Sequence, residues 1–188
     1  MSNARNLANL LGTNTTIQTA KLADSCISTA KIADDALTAA KFANGGVVNV
    51  ARQQTTSDID TSATDYNTLW SFNYTPVLTS SKVYFHHTLN FRGFNNSGHD
   101  GRFKYKVNIN GSAQFESRDA GPYDYGGSGS WVRSSYSEIL EYTNTGSAAI
   151  AWQLQAASMN SSGSTSVRFN EASGGTQIST CIIIEVAN

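Results

Sequence analysis

The residues best suited to chemistry lie between Asp119 and Trp131. In a Gly/Ser-rich stretch, DAGPYDYGGSGSW, the chain gathers Asp119, Tyr123, Asp124, Tyr125 and Trp131. Aromatic faces stack on sugar rings, carboxylates accept sugar hydroxyls, and loops on rigid β scaffolds commonly carry recognition. The same aromatics could instead fill a subunit interface, and the sequence leaves both readings open. The three histidines say less. His86 and His87 are adjacent and so point to opposite faces of a strand. His87 stands among apolar residues, as a core or interface histidine would. His99-Asp100 sits in a Gly/Asn turn. A polysaccharide-cleaving enzyme would need two carboxylates at a set separation. The acids Glu116, Asp119, Asp124, Glu138, Glu141 and Glu171 form no paired motif. The expectation is a non-enzymatic protein with no catalytic residue, no metal and no cofactor.

These residues need a scaffold, and from residue 66 onward the hydrophobic period is two. LWSFNY (69–74) reads as a strand ended by Pro76. In 83–94, Val83, Phe85, His87, Leu89 and Phe91 share one face, and Tyr84, His86, Thr88, Asn90 and Arg92 the other. Phe103, Tyr105, Val107 and Ile109 alternate with Lys104, Lys106 and Asn108, and Asn110-Gly111 signals a hairpin returning through 113–118. Further strands are expected at 131–142, 149–159, 165–172 and 176–187, with turn residues between. About eight short strands at regular spacing imply an antiparallel β-sandwich or barrel. The last run, Cys181-Ile182-Ile183-Ile184, is apolar on both faces. Such a strand needs cover on both sides, from the opposing sheet and from a partner subunit.

Upstream the order is different. Three ten-residue units, IQTAKLADSC, ISTAKIADDA and LTAAKFANGG, run from Ile17, and a degenerate fourth begins at Val47. Large apolar residues recur every fifth position: Ile17, Leu22, Ile27, Ile32, Leu37 and Phe42. On an α-helix a step of five turns by about 140° net, so these side chains spiral instead of forming a stripe. On a strand an odd step alternates faces. A repeat that cannot bury its own apolar residues needs neighbours, which implies several chains packed about a common axis. A flexible Ala/Lys/Asp linker is the alternative. Before the repeat, Leu7, Leu10 and Leu11 fall at helical spacing and Gly12 stops the turn. That short helix reads as a docking peptide or as a cap on the shaft's end. The expected organisation is a docking segment (1–16), a shaft (17–50), a polar neck (51–65) and a β head (66–188).

Bulk properties narrow the function. Charged residues make up 14% of 188 and the net charge is −1, so a nucleic-acid partner, which calls for a basic face, is not expected. No apolar run approaches the roughly 20 residues that span a bilayer, and membrane insertion is not expected. The first residues hold one Arg and no apolar core, so no secretory leader is expected. The two cysteines, Cys26 and Cys181, lie in regions of different character and read as small buried hydrophobes.

The segment ARNLANLLG (4–12), followed by the decads AKLADS, AKIADDA and AKFANGG, resembles the N-terminal part of bacteriophage tail-fibre and related virion fibre proteins. The resemblance covers about the first quarter of the chain; Cys26 and Gly46 depart from the Ala usual in the tenth place. It implies a homotrimeric virion appendage, assembled in the host cytoplasm, whose N-terminus docks on a tail or capsid protein. The head would then bind a host-surface glycan or receptor, or would decorate the capsid without a specific receptor; a microbial adhesin stalk is a third reading. The order of shaft, neck, β head and apolar last strand is similar to the trimeric jelly-roll heads of the tumour-necrosis-factor and complement type.

Overall fold

A strand with alternating apolar and polar residues is stable where a second layer covers its apolar side. The computed structural model describes residues 45–95, 102–117, 120, 130–159, 166–170 and 177–188, all within one unit, Ala39–Asn188. The strands are β1 (Val47–Thr55), β2 (Ile59–Thr61), β3 (Asn67–Tyr74), β4 (Ser81–Asn95), β5 (Phe103–Ile109), β6 (Ser112–Glu116), β7 (Ser130–Asn144), β8 (Ile150–Ser158), β9 (Ser166–Phe169) and β10 (Ser179–Ala187). The described part is mainly β, and its strand neighbours are all antiparallel.

They form two sheets. A six-stranded sheet runs β1-β10-β4-β9-β2, with β7 on the other flank of β4. A four-stranded sheet runs β3-β8-β5-β6. Passing along the chain from β3 to β10, the path alternates between the sheets except at β5-β6 and at β9-β10, where two successive strands share a sheet. This is the wiring of a double-sheet jelly roll. β4 organises the larger sheet. It pairs with β7 along its whole length, with β10 through Ser81–Thr88, and with β9 through Phe91–Phe94.

The expected inward residues of β4 are all buried: Val83, Phe85, His87, Leu89 and Phe91. They meet Phe103, Tyr105, Val107 and Ile109 of β5 and Ile150, Trp152 and Leu154 of β8, also buried. The contacts across the sandwich are largely aromatic. Phe91 lies 4.8 Å from Phe103 and 5.3 Å from Tyr105, centroid to centroid. Within the four-stranded sheet, Trp152 stacks on its register partner Phe72 at 4.9 Å and meets Trp70 edge-on at 5.1 Å. Each such pair adds about 1 kcal/mol beyond the area it buries.

Three polar devices close the ends. At the β5–β6 hairpin, Asn110 and Gly111 both have positive φ, 51° and 79°, the two-residue primed turn that Asn-Gly favours. Where β4 changes partner from β10 to β9, side chains stand in for the missing ladder. The Asn90 amide donates to Ser179 Oγ at 3.0 Å, the Asn170 amide donates to Asn90 O at 3.1 Å, and Ser179 Oγ donates to Asn170 Oδ1 at 2.6 Å. At the β3–β4 connection the buried carboxylate of Glu185 accepts from Tyr74 OH (2.7 Å), the Val77 and Leu78 amides (2.7 and 2.9 Å) and Ser81 Oγ (2.8 Å). Burial pushes this carboxyl up, but the Val77 and Leu78 amides and the Tyr74 and Ser81 hydroxyls outweigh it and hold it below its ordinary value.

Strands of the larger sheet begin upstream of residue 66. Residues 47–55 and 59–61, read as the end of the shaft and a polar neck, are β1 and β2. β1 supplies an outer strand to the larger sheet, pairing with β10 from Val47↔Val186 to Thr55↔Ser179. Its polar side chains are those of an edge strand, and backbone pairing, which composition does not reveal, holds it in place.

Gly111→Ala is expected to cost about 1 kcal/mol, because the left-handed backbone and not crowding is the penalty: an added Cβ would meet nothing within 4 Å. The urea midpoint should fall with its slope unchanged. Glu185→Gln is expected to cost about 3 kcal/mol at pH 7, since two or more donors lose their acceptor. A lowered folded value means that stability is present above the ordinary carboxyl value of 4.5 and lost as pH falls through the folded one. Denaturation curves of the variant should therefore decline less between about pH 5 and 3 than those of the parent.

Candidate functional site

Two places concentrate chemistry-bearing or exposed apolar side chains. The first is inside the sandwich. His87 of β4 and Glu138 of β7 are directly paired in register. His87 Nε2 lies 2.7 Å from Glu138 Oε2, and Tyr105 OH of the opposite sheet donates to Glu138 Oε1 at 2.5 Å. A carboxylate only accepts, so Nε2 carries the proton. One acid thus ties a histidine of one sheet to a tyrosine of the other. Burial raises the Glu138 carboxyl, but the hydrogen bonds from His87 and Tyr105 and the histidine's charge bring it below its ordinary value. Burial, then Glu138, pushes the Tyr105 phenol well up. The His87 ring also sits edge-on to Trp152 at 5.8 Å, so the cluster is walled by core and acts as a brace between sheets.

The second place is the outer face of the six-stranded sheet. The register lines up Val50, Ile184, Tyr84 and Glu141 in one row and Arg52, Ile182, His86 and Ile139 in the next. Val50 is 62% exposed, Ile139 63% and Ile182 39%; Ile184 and Val186 are half-buried. A lone exposed aliphatic is ordinary, but a group spanning neighbouring strands marks a contact surface. Polar groups share the face: Lys82 Nζ meets Glu141 at 2.7 Å, and His86, between Ile182 and Ile139 in register, has Nε2 3.1 Å from Ser137 Oγ. The outer face of the four-stranded sheet is different in kind. It presents Thr68, Ser71, Asn73, Gln153, Gln155, Lys104 and Lys106, and none of the large exposed aliphatics of the described residues lies on these strands.

The sequence-derived sites fare unevenly. Among the loop residues, Asp119, Tyr123, Asp124 and Tyr125 lie outside the described residues. Trp131 is placed only by its backbone, opposite Phe94 in the β4–β7 ladder. Leu7, Leu10 and Leu11 of the docking segment lie outside the described residues. So do the shaft residues Ile17, Leu22, Ile27, Ile32, Leu37 and Phe42. The described candidate acids do not come together. Glu116 accepts from Tyr66 OH at 2.6 Å, Glu138 serves the inner brace, and Glu141 pairs with Lys82 on the outer face. Cys181 is a free thiol buried in the core, where burial pushes it up to about 12. The reading missed Val50 and Ile139 as surface residues. Ile139 carried a signal: it is out of phase with the inward Tyr136, Glu138, Leu140 and Tyr142 of its own strand.

No protein-family model matches the chain, and no curated protein matches it. Solved structures with a likeness include dimeric latent PorU from Porphyromonas gingivalis, at 11% identity and a TM-score of 0.41 over 77% of this chain and 14% of that one. The VP2 subviral particle of infectious bursal disease virus aligns at 15% identity and a TM-score of 0.36 over 74% of this chain and 38% of that one. The Gt strain of the same virus gives 11% identity and 0.33 over 74% and 38%. The chain therefore spans well under half of each of these proteins.

Tyr105→Phe keeps the ring and removes one donor from Glu138. It is expected to cost about 2 kcal/mol and to let the Glu138 carboxyl rise. Because a smaller downward shift contributes less stability above the ordinary value and loses less on acidification, the variant should be weaker at pH 7 with a shallower acid decline. Denaturant titration at several pH values checks both.

Proposed function

We propose that this chain is the subunit of a homotrimeric structural virion fibre, with the β-sandwich as its head and the outer face of the six-stranded sheet turned toward the threefold axis. The observation that carries this reading is the set of Val50, Ile182, Ile184 and Ile139 on β1, β10 and β7 of one sheet, with Tyr84 and His86 of β4 between them. Fully covering one aliphatic side chain of this size is worth about 1.5–3 kcal/mol, and an isologous or cyclic contact between copies covers all of them at once. The decad repeat supports association from an upstream part of the sequence, since its five-residue apolar step also asks for sister chains, and the number three is what the resemblance to virion fibres implies. The N-terminal segment around Leu7, Leu10 and Leu11 would dock on a virion protein, and the head would project from the particle. The role is mechanical: it needs no cofactor and no catalytic group.

Sedimentation equilibrium of the full-length protein is expected to give three times the chain mass of 20.1 kDa. Ile139→Asp combined with Ile182→Asp is expected to raise at least tenfold the protomer concentration at which trimers dissociate. Met159→Asp, on another exposed aliphatic, should leave it unchanged. A well-folded parent protein of single-chain mass would end this reading.

A further inference from the structure

If the six-stranded sheet faces the axis, the four-stranded sheet faces away from it, and its outer surface is built differently. Tyr66 lies across β5, with Lys104 Nζ 4.8 Å and Lys106 Nζ 4.2 Å from its ring centroid, and its hydroxyl engages Glu116 at 2.6 Å. Glu116 therefore takes the phenol, and neither lysine has a carboxylate within ion-pair distance among the described residues. The register places Lys106 in a row with Gln155 and Thr68. The next row on the same face holds Ser71, Gln153 and Asn108, and beyond it stand Asn73 and Ala151. Successive rows on one face are about 7 Å apart.

The amides between are held in place. Asn108 Nδ2 donates to Gln155 Oε1 at 3.0 Å, and Gln153 Nε2 donates to Thr68 Oγ1 at 2.8 Å. Beside them a shallow cleft of about 380 Å³ is lined by Ser71, Asn73, Gly111 and Gln153. Its size is that of a small-ligand site. Its hydroxyl and amide groups offer donors and acceptors together, which is what sugar hydroxyls require. Two lysines stand one to two rows away over one aromatic ring, against the single carboxylate of Glu116 opposite Lys106, which leaves a net positive charge there.

We infer that this face binds an acidic saccharide, with sugar hydroxyls in the Ser71–Asn73–Gln153 cleft and the sugar's carboxylate toward Lys106 and Lys104. The outward orientation rests on the trimer reading; the site itself belongs to a single chain. Three such sites on one head would act together, so that modest single-site affinity becomes strong attachment to a dense surface.

The test uses the full-length protein and three probes: sialyllactose, digalacturonate and neutral lactose, titrated by calorimetry. The acidic probes are expected to bind saturably and at least tenfold more tightly than lactose. Raising salt from about 0.05 to 0.5 M should narrow that gap. Lys104→Gln with Lys106→Gln should weaken the acidic probes at least tenfold and leave lactose unchanged. Ser71→Ala with Asn73→Ala, which removes exposed groups, should weaken all three. The Ile139→Asp, Ile182→Asp protein should keep the per-site affinity even where its mass falls to that of one chain, which separates failure of the site from failure of the trimer. Absence of saturable binding by both acidic probes, equal affinity for lactose, or unchanged affinity in both sets of cleft and lysine variants would overturn the assignment.

Discussion

The two-residue period of β10 constrains the whole head. It sends Cys181, Ile183 and Glu185 into the sandwich and Ile182, Ile184 and Val186 to the opposite side. No rotation of a strand hides both sets, and one sandwich supplies cover for one of them only. Placing β10 between β1 and β4 satisfies its backbone on both flanks and fills the core. It leaves the second apolar row facing outward, with Val50 beside it on β1 and Ile139 beyond β4 on β7. The polar character of the other sheet's outer face follows from the same division, because that sheet has no strand that is apolar on both sides.

The interior is not purely apolar. Glu185 brings a carboxylate into a fully buried position where an unpaired charge would be prohibitive, and Glu138 brings one to a half-buried position. Each is surrounded by donors from distant parts of the chain, and in both cases hydrogen bonding outweighs burial. Losing either acid alone strands its donors and is costly, but replacing the acid and its donors together with well-packed hydrocarbon would avoid the desolvation penalty, so net stability is a weak reason for the clusters as wholes. What they supply is geometric selectivity. Glu185 accepts only a β3–β4 connection that turns its amides inward, and Glu138 accepts only a spacing between sheets that brings Tyr105 within reach.

Much of the sandwich was legible in the sequence because alternation survives wherever one face is covered. The inward sets of β4, β5 and β8 follow directly from their apolar phase, and Asn110-Gly111 announced its own turn. What stayed hidden depends on partners far along the chain. β1 is made of residues that continue a decaying repeat, and only its pairing with β10, more than a hundred residues later, makes it a strand. Glu185 lies 107 and 108 positions from the amides it accepts from. His87 was correctly placed among apolar neighbours, but its partner Glu138 is 51 residues away. The lysine pair over Tyr66 looked like the wet face of a strand. It is that, but a ring from outside β5 gives it fixed geometry.

The Asn170–Ser179 junction matters for how the molecule can vary. Here β4 has no strand pairing on the flank it shares with β10 and β9, and on that side its Asn90 amide and carbonyl are met by a side-chain hydroxyl and by a single backbone amide. Asn170 also reaches Thr55 O at 3.0 Å, so both shores of the gap are moored independently of the chain that joins them. A segment bounded in this way can change length or composition without dragging the ladders on either side out of step. The junction is a natural splice point, where new sequence could be accepted while the rest of the sandwich keeps its alignment.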